Sequence, residues 1–304
     1  MTKHLLKLSD LSKTDFEVFF ERAMELKRRQ KQGTANRSLV GKTFGLLFDK
    51  PSTRTRASFE AAMVQLGGTP LFISSKDTQI SRAEPIKDTA RVLSRYFDGL
   101  AIRTFSQDII DEFARFATIP IINALTDPYH PCQVLSDLLT ILQFKKTYEK
   151  LKIAWVGDGN NMAHSWINAA AVLGLNLVLA CPEEYFPNKI IVDEAIKKNP
   201  DKIKVTTDPV EAVREADVVN TDVWASMGQE SEQDARRGVF EPFQVNSKLL
   251  AEAAKDAIVM HCLPAHRGEE ITEDVLEGPN SVVWDQSENK LHMHKAIIEI
   301  LLTS

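Results

Sequence analysis

Residues 43–68 read TFGLLFDKPSTRTRASFEAAMVQLGG. Thr43 to Phe48 is a short run of mostly bulky apolar residues, the pattern of a buried strand. Pro51 ends it, and Ser52 is a favoured N-cap for a helix beginning at the next residues. Ala57, Phe59, Ala61, Ala62, Met63 and Leu66 fit that helix, which Gly67-Gly68 stops. The stretch predicts a strand, a tight polar loop and a helix N-terminus. Three hydroxyls (Ser52, Thr53, Thr55) and two guanidiniums (Arg54, Arg56) gather there. Unpaired backbone N–H groups and the helix dipole favour an anion at such an end, and arginine adds forked donors matched to phosphate oxygens. A capped helix with two solvated arginines would use several of the same residues. On a helix, however, the two arginines diverge, one toward a ligand and the other toward a carboxylate such as Glu60. The loop reads as a phosphate cradle, and it is not a Walker motif, because G-x-x-x-x-G-K is absent.

The chain has 304 residues, enough for two domains with a sizeable core. Its 43% hydrophobic and 26% charged content is that of a globular protein. A net charge of −5 argues against nucleic acid, so any basic site must be local. No apolar run reaches transmembrane length and no signal-peptide h-region opens the chain. Cys132, Cys181 and Cys262 form no C-x-x-C pair, which fits reduced thiols in a cytoplasmic protein.

Around the cradle, helices are predicted over Leu11–Lys31, Ile86–Tyr96 and Asp108–Ala117, and strands over Thr69–Ser74, Gly99–Arg103 and Pro120–Asn123. Strands alternating with helices predict an α/β fold with a parallel sheet flanked by helices. Ligands of such sheets bind beyond the C-terminal strand ends. Ser52, Arg103 and the residues after Asn123 all fall there. The polar segment Ser75–Ile86, with Gln79, reads as an exposed loop. Pro131 fits the first position of a long helix, Cys132–Lys146. His130 stands at the junction before it, near Gln133. Local chemistry supports a structural and a site role for this histidine equally.

Lys145–Lys150 reads as a connection to a second domain. That half restarts with a strand from Lys152 entering Gly157-Asp158-Gly159-Asn160-Asn161-Met162. A dinucleotide fingerprint would need a third glycine where Met162 stands, so no nicotinamide cofactor is expected. Further strands are predicted over Leu177–Ala180, Val205–Thr207, Ala216–Asn220 and Ala257–His261, and helices over Val210–Arg214 and Lys248–Lys255. Polar loops come after two of the strands: Thr221–Glu230, with Asp222, Ser226, Met227 and Gly228, and His261–Gly268, with Cys262, Leu263 and Pro264. Turn capping by Asp222 and burial of Cys262 as a small hydrophobe would explain both loops without a ligand. His261, His266, His292 and His294 lack metal-ligand spacing, so no metal is expected. A strand over Ser281–Val283 and an amphipathic helix over Gln286–Leu302 close the chain.

Taken together, these motifs resemble the aspartate/ornithine transcarbamoylase family, in its ornithine carbamoyltransferase branch, over nearly the whole chain. Ser52-Thr53-Arg54-Thr55-Arg56 and His130-Pro131-Cys132-Gln133 are similar across the family. Ser226-Met227-Gly228 and Cys262-Leu263 mark the ornithine branch. The resemblance implies two α/β domains with an active-site cleft between them: residues 1–147 for carbamoyl phosphate, residues 148–285 for ornithine, and a C-terminal helix, about 286–304, packed back onto the first. It implies that Ser52, Thr53, Arg54, Thr55, Arg103, His130, Pro131, Cys132, Gln133, Cys262, Leu263 and Lys290 serve carbamoyl phosphate, with Gln79 reaching a neighbouring subunit's site in a homotrimer. Asn161, Asp222, Ser226 and Met227 match the ornithine contacts. Arg54, Arg103, His130, Asp222 and Cys262 are the implied catalytic set, with no cofactor. Lys290 stands where many relatives carry arginine, keeping the charge but losing the fork. Other amine acceptors, putrescine or an N-modified ornithine, and a non-catalytic phosphate-binding relative are the alternative readings.

Overall fold

The structure, a computed structural model, describes residues 3–74, 78, 83–225 and 233–303. It divides into two compact units, Met1–Leu139 with Asn289–Ser304, and Thr140–Glu288.

The first unit contains α1 (Lys13–Lys31), β1 (Thr43–Phe48), α2 (Thr53–Gln65), β2 (Thr69–Ser74), α3 (Ile86–Leu93), β3 (Gly99–Arg103), α4 (Gln107–Phe116), β4 (Ile121–Leu125) and the start of α5 (Pro131–Lys145). Ser12 and Asp15 form a reciprocal capping box that starts α1. The strands pair in parallel in the order β2-β1-β3-β4. β1 and β3 are interior and buried along almost their whole length, which explains their continuous apolar sequences. β2 is an edge strand, and it tolerates Pro70 for that reason. Gly67 ends the α2 turn at φ +87°, a conformation that disfavours a side chain. A core of Leu47, Leu100, Ile102, Ile110, Phe113 and Ile121 packs between sheet and helices.

The second unit holds β5 (Lys152–Val156), α6 (Asn161–Leu173), β6 (Asn176–Ala180), α7 (Lys189–Lys198), β7 (Ile203–Thr206), α8 (Pro209–Val213), β8 (Val218–Thr221), α9 (Gln233–Phe240), α10 (Ser247–Leu250), β9 (Ile258–His261) and α11 (Glu273–Leu276). Its sheet is parallel in the order β7-β6-β5-β8-β9. The last helix, α12 (Val283–Thr303), starts in this unit and ends in the first.

In both sheets the first strand, β1 or β5, has its successors on both sides. The winding therefore reverses between β1 and β3 and between β5 and β8, leaving a crevice at the C-terminal strand ends of each sheet.

The predicted strand over Ser281–Val283 is corrected. Ser281 makes only an isolated bridge to Val259, and Val283 already begins α12. Val282 N–H donates to the Val259 carbonyl at 3.0 Å, and Val259 N–H to the Asn280 carbonyl at 2.8 Å. Those bonds satisfy β9's edge without a further strand. The predicted helix over Lys248–Lys255 also shortens to α10, because Glu252 and Ala253 close turns onto the carbonyls of Leu249 and Leu250.

Candidate active site

In the first unit, Ser52 caps α2 by accepting from the Thr55 N–H at 3.3 Å. No acidic residue sits in the first turn of α2, so the positive end of its dipole is left uncompensated. Thr53 and Arg54 are exposed, whereas Thr55 is buried. Arg56 turns away: its Nε donates to Glu60 Oε1 at 2.9 Å and its guanidinium lies 3.6 Å over the Phe72 ring.

Lys290 of α12 reaches the same corner. Its Nζ donates to Thr55 Oγ1 at 3.1 Å and to Gln133 Oε1 at 2.9 Å. Gln133 Nε2 donates to Asp137 Oδ1 at 2.9 Å, which fixes the amide's orientation. Arg103, the last residue of β3, and His130, just before α5, are both buried here. Burial, followed by Lys290, Arg103 and His294, holds His130 well below the usual histidine pKa. A neutral imidazole among three positive or polar neighbours is suited to hydrogen-bonding a carbonyl oxygen. Pro131 takes the first position of α5. Cys132 is an internal thiol donating to the Asn123 carbonyl at 3.4 Å, with burial pushing its pKa up to about 12. A thiol so buried is not activated as a nucleophile. Lys50 pairs with Asp127 and lies 4.1 Å from the Phe105 ring centroid, joining the loops after β1, β3 and β4.

In the second unit, Asn160 caps α6 by accepting from Met162 and Ala163 N–H at 2.9 and 3.3 Å. Its Nδ2 donates to Asp222 Oδ2 at 3.0 Å. Asp222 comes directly after β8, and its Oδ1 accepts from Cys262 Sγ at 3.0 Å and from Val223 N–H at 2.9 Å. Asp222 is buried, 7% exposed as a residue, and its carboxyl group is held from both sides. Asn161, beside the cap, is half-buried at the first position of α6. Gly159 allows this turn: a Cβ there would sit 2.3 Å from Pro187 N and 2.5 Å from the Tyr185 carbonyl oxygen.

The Cys262-Leu263 loop is braced from below. Leu263 N–H donates to His261 Nδ1 at 2.9 Å, leaving His261 Nε2 as the donor to Glu270 Oε1 at 3.0 Å. Both partners of that second bond are buried. Leu263 adopts φ +59°, an unfavourable value for leucine that this bracing sustains. Ligand atoms of Asp222, His261 and Cys262 lie within 4.8 Å of one another, as do those of His266, Glu269 and Glu270. Hydrogen bonding accounts for much of both groupings. Gln79, Ser226 and Met227 lie outside the described residues.

Each sheet's crevice thus carries its own candidate cluster of polar side chains. Residues 3–143 match the carbamoyl-P binding domain of the aspartate/ornithine carbamoyltransferase family, and residues 149–301 match its Asp/Orn binding domain. The chain belongs to the aspartate/ornithine carbamoyltransferase family.

Within that family it is 60% identical to the ornithine carbamoyltransferase of Syntrophus aciditrophicus over 302 residues, 99% of this chain and 100% of that protein. It is 54% identical to the ornithine carbamoyltransferase of Geobacter sulfurreducens over the same shares. The solved ornithine carbamoyltransferase of Pyrococcus furiosus superposes with a TM-score of 0.93 at 48% identity, covering 97% of this chain and 95% of that one.

Sequence reasoning missed several residues beside these clusters. Asp158 and Arg236 form a buried pair at 3.0 Å, and Arg236 also donates to the Trp224 carbonyl at 2.8 Å. Nothing in the local sequence links residues so far apart. His294 is different: it lies four residues after Lys290, hence on the same helix face, and that spacing was legible.

Proposed function

We propose that this chain transfers the carbamoyl group of carbamoyl phosphate to the side-chain amine of L-ornithine, giving L-citrulline and phosphate. The observation that carries the reading is the full-length match to ornithine carbamoyltransferases. The two half-sites fit the chemistry. Residues 1–147 form the carbamoyl-phosphate domain with the helix of about 286–304, and residues 148–285 form the ornithine domain.

Ser52, Thr53, Arg54 and Thr55 hold the phosphate at the α2 N-terminus, with Gln79 contributed by a neighbouring subunit. Arg103, His130 and Gln133 hold the carbamoyl oxygen, with Pro131, Cys132, Cys262 and Leu263 lining the carbamoyl group, and Lys290 supplies the buried positive charge. Asn161, Asp222, Ser226 and Met227 take ornithine. Its amine loses a proton and attacks the carbamoyl carbon, forming a tetrahedral oxyanion. Arg103, His130 and Thr55 stabilise that charge. Collapse breaks the carbon–oxygen bond to phosphate, which leaves onto the Arg54 cradle. Asp222, carrying the Cys262 thiol on its Oδ1, orients the amine and handles its proton. No step calls for a metal or organic cofactor.

The protein acts in arginine biosynthesis in the cytoplasm as a homotrimer. Exposed Val64 on α2 and Leu71 and Phe72 on the edge strand β2 support a contact with further copies. No helix among the described residues is long and apolar enough to cross a membrane.

The test is citrulline formation from carbamoyl phosphate, with ornithine, aspartate, putrescine and N-acetylornithine supplied separately. A signal with ornithine alone is expected. Carbamoylation of another amine overturns the acceptor, and silence with all four overturns the enzyme.

A further inference from the structure

His294 is fully buried on α12, and its ring stacks on Phe59 of α2 with centroids 3.7 Å apart and planes 12° apart. An aliphatic or phenyl side chain would fill that space as well. The polar ring does something more. His294 Nδ1 lies 3.0 Å from Ser58 Oγ, and Ser58 Oγ donates to the Thr55 carbonyl at 3.1 Å. A hydroxyl has a single hydrogen. With that hydrogen on the Thr55 carbonyl, Nδ1–H of His294 is the donor to Ser58. Nε2 is then bare, and among the described residues it is buried with no hydrogen-bond partner, a cost that packing alone would not sustain.

The relay ends at Thr55, whose hydroxyl accepts from Lys290, one helical turn before His294. Thr55 is thus held by its carbonyl and its hydroxyl from two points on one face of α12. We infer that His294 is a positioning residue, whose Nδ1–H, passed through Ser58, fixes the first turn of α2 in the orientation that receives the phosphate. This rests on the phosphate reading of that turn.

Burial and then Lys290 on its own helix act on this imidazole, and His294 in turn acts on His130 before α5, together with Lys290 and Arg103 of β3. Lys290 and burial both keep His294 neutral, as the relay requires.

The experiment compares steady-state kinetics of the native protein with His294→Phe, His294→Gln and Ser58→Ala. Phenylalanine keeps the stack and removes the donor, whereas glutamine keeps an N–H donor. His294→Phe is expected to raise the KM for carbamoyl phosphate about tenfold, with the KM for ornithine unchanged, since a small misplacement of binding groups has effects of this order. His294→Gln is expected to recover most of the loss. Ser58→Ala, at a half-buried site that tolerates alanine, should reproduce the selective KM effect should His294→Phe fail to fold. Unchanged carbamoyl-phosphate KM in His294→Phe or Ser58→Ala overturns the inference. So does an equal loss with glutamine and phenylalanine, or parallel loss for both substrates. A native protein that makes no citrulline would instead refute the functional reading itself.

Discussion

Lys290 Nζ lies 3.1 Å from Thr55 Oγ1, joining side chains 235 residues apart in sequence at the mouth of the α2 helix. The bond places a buried ammonium beside the only side-chain hydroxyl of the cradle loop that is itself buried. Lys290→Met should weaken carbamoyl phosphate about 10- to 100-fold, the size of a lost charged hydrogen bond. Ornithine's KM should stay near its native value. Lys290→Arg keeps the charge but replaces the compact ammonium with a broader planar group, and should recover only part. Carbamoyl phosphate affinity measured across these variants checks the assignment.

Arg54 is exposed at the start of α2 and is not part of the core. Arg54→Ala should therefore cut turnover by about 100- to 1,000-fold, as loss of one oxyanion donor does, while the melting temperature stays within a degree or so of native, as for a surface change. Retained turnover would remove Arg54 from the cradle.

Cys262 donates its thiol hydrogen to Asp222, so its loss should disturb the acceptor half-site first. Cys262→Ala should lower kcat and raise the ornithine KM more than that for carbamoyl phosphate. Equal effects on both substrates would argue that the thiol does not act at the amine.

Asp158 and Arg236 are nearly inaccessible, and burial raises the Asp158 carboxyl to about 6 even with the guanidinium beside it. Arg236→Met removes the opposing charge and leaves that carboxylate buried alone. The unfolding free energy should fall by about 3–5 kcal/mol, the usual cost of breaking a buried pair. Asp158→Asn in the same background should return part of it. Urea unfolding of the native protein and the two variants decides.

Acid should destabilise the first unit through its histidines. His130 and His294 are held well below the usual value near 6.5, so the folded state keeps them neutral while the unfolded chain protonates them. His4 shifts the same way, to about 4. The unfolded state then binds more protons below pH ~6.5, and stability falls as pH drops through that point toward the lower folded values. Each fully buried histidine contributes a slope of about 1.4 kcal/mol per pH unit in that window. Denaturation curves at pH 7 and pH 5.5 measure it, and His294→Gln should lessen the slope.

Much of the fold was legible because strands β1, β3 and β5 are buried on both faces and read as apolar runs closed by polar turns. Ser52 and Gly67 fixed both ends of α2 in the same way. The Arg56–Glu60 pair came from helical spacing alone. Less was legible where long-range bonds override local preference. Ser281-Val282-Val283 has strand-forming residues, yet Asn280 and Val282 complete the edge of β9 by themselves and release Val283 into a helix. The short helix α9, carrying Gly238 and few apolar residues, gave no periodic signal. In the site, strand-end residues such as Arg103 and Asp222 were recognisable by position, whereas Asp158–Arg236 and Ser58–His294 exist only once distant segments meet.

The reversal of winding in each sheet has a consequence for how such a protein diversifies. On the proposed function, donor and acceptor recognition draw on separate sets of strand ends and loops, one set at each sheet. Insertions or exchanges after β8 and β9 can re-address the acceptor while the loops after β1, β3 and β4 retain the donor unchanged. A lineage, or a protein engineer, can therefore replace one vocabulary of recognition without rewriting the other, provided Gly159 is left alone, where the backbone leaves no space for a side chain.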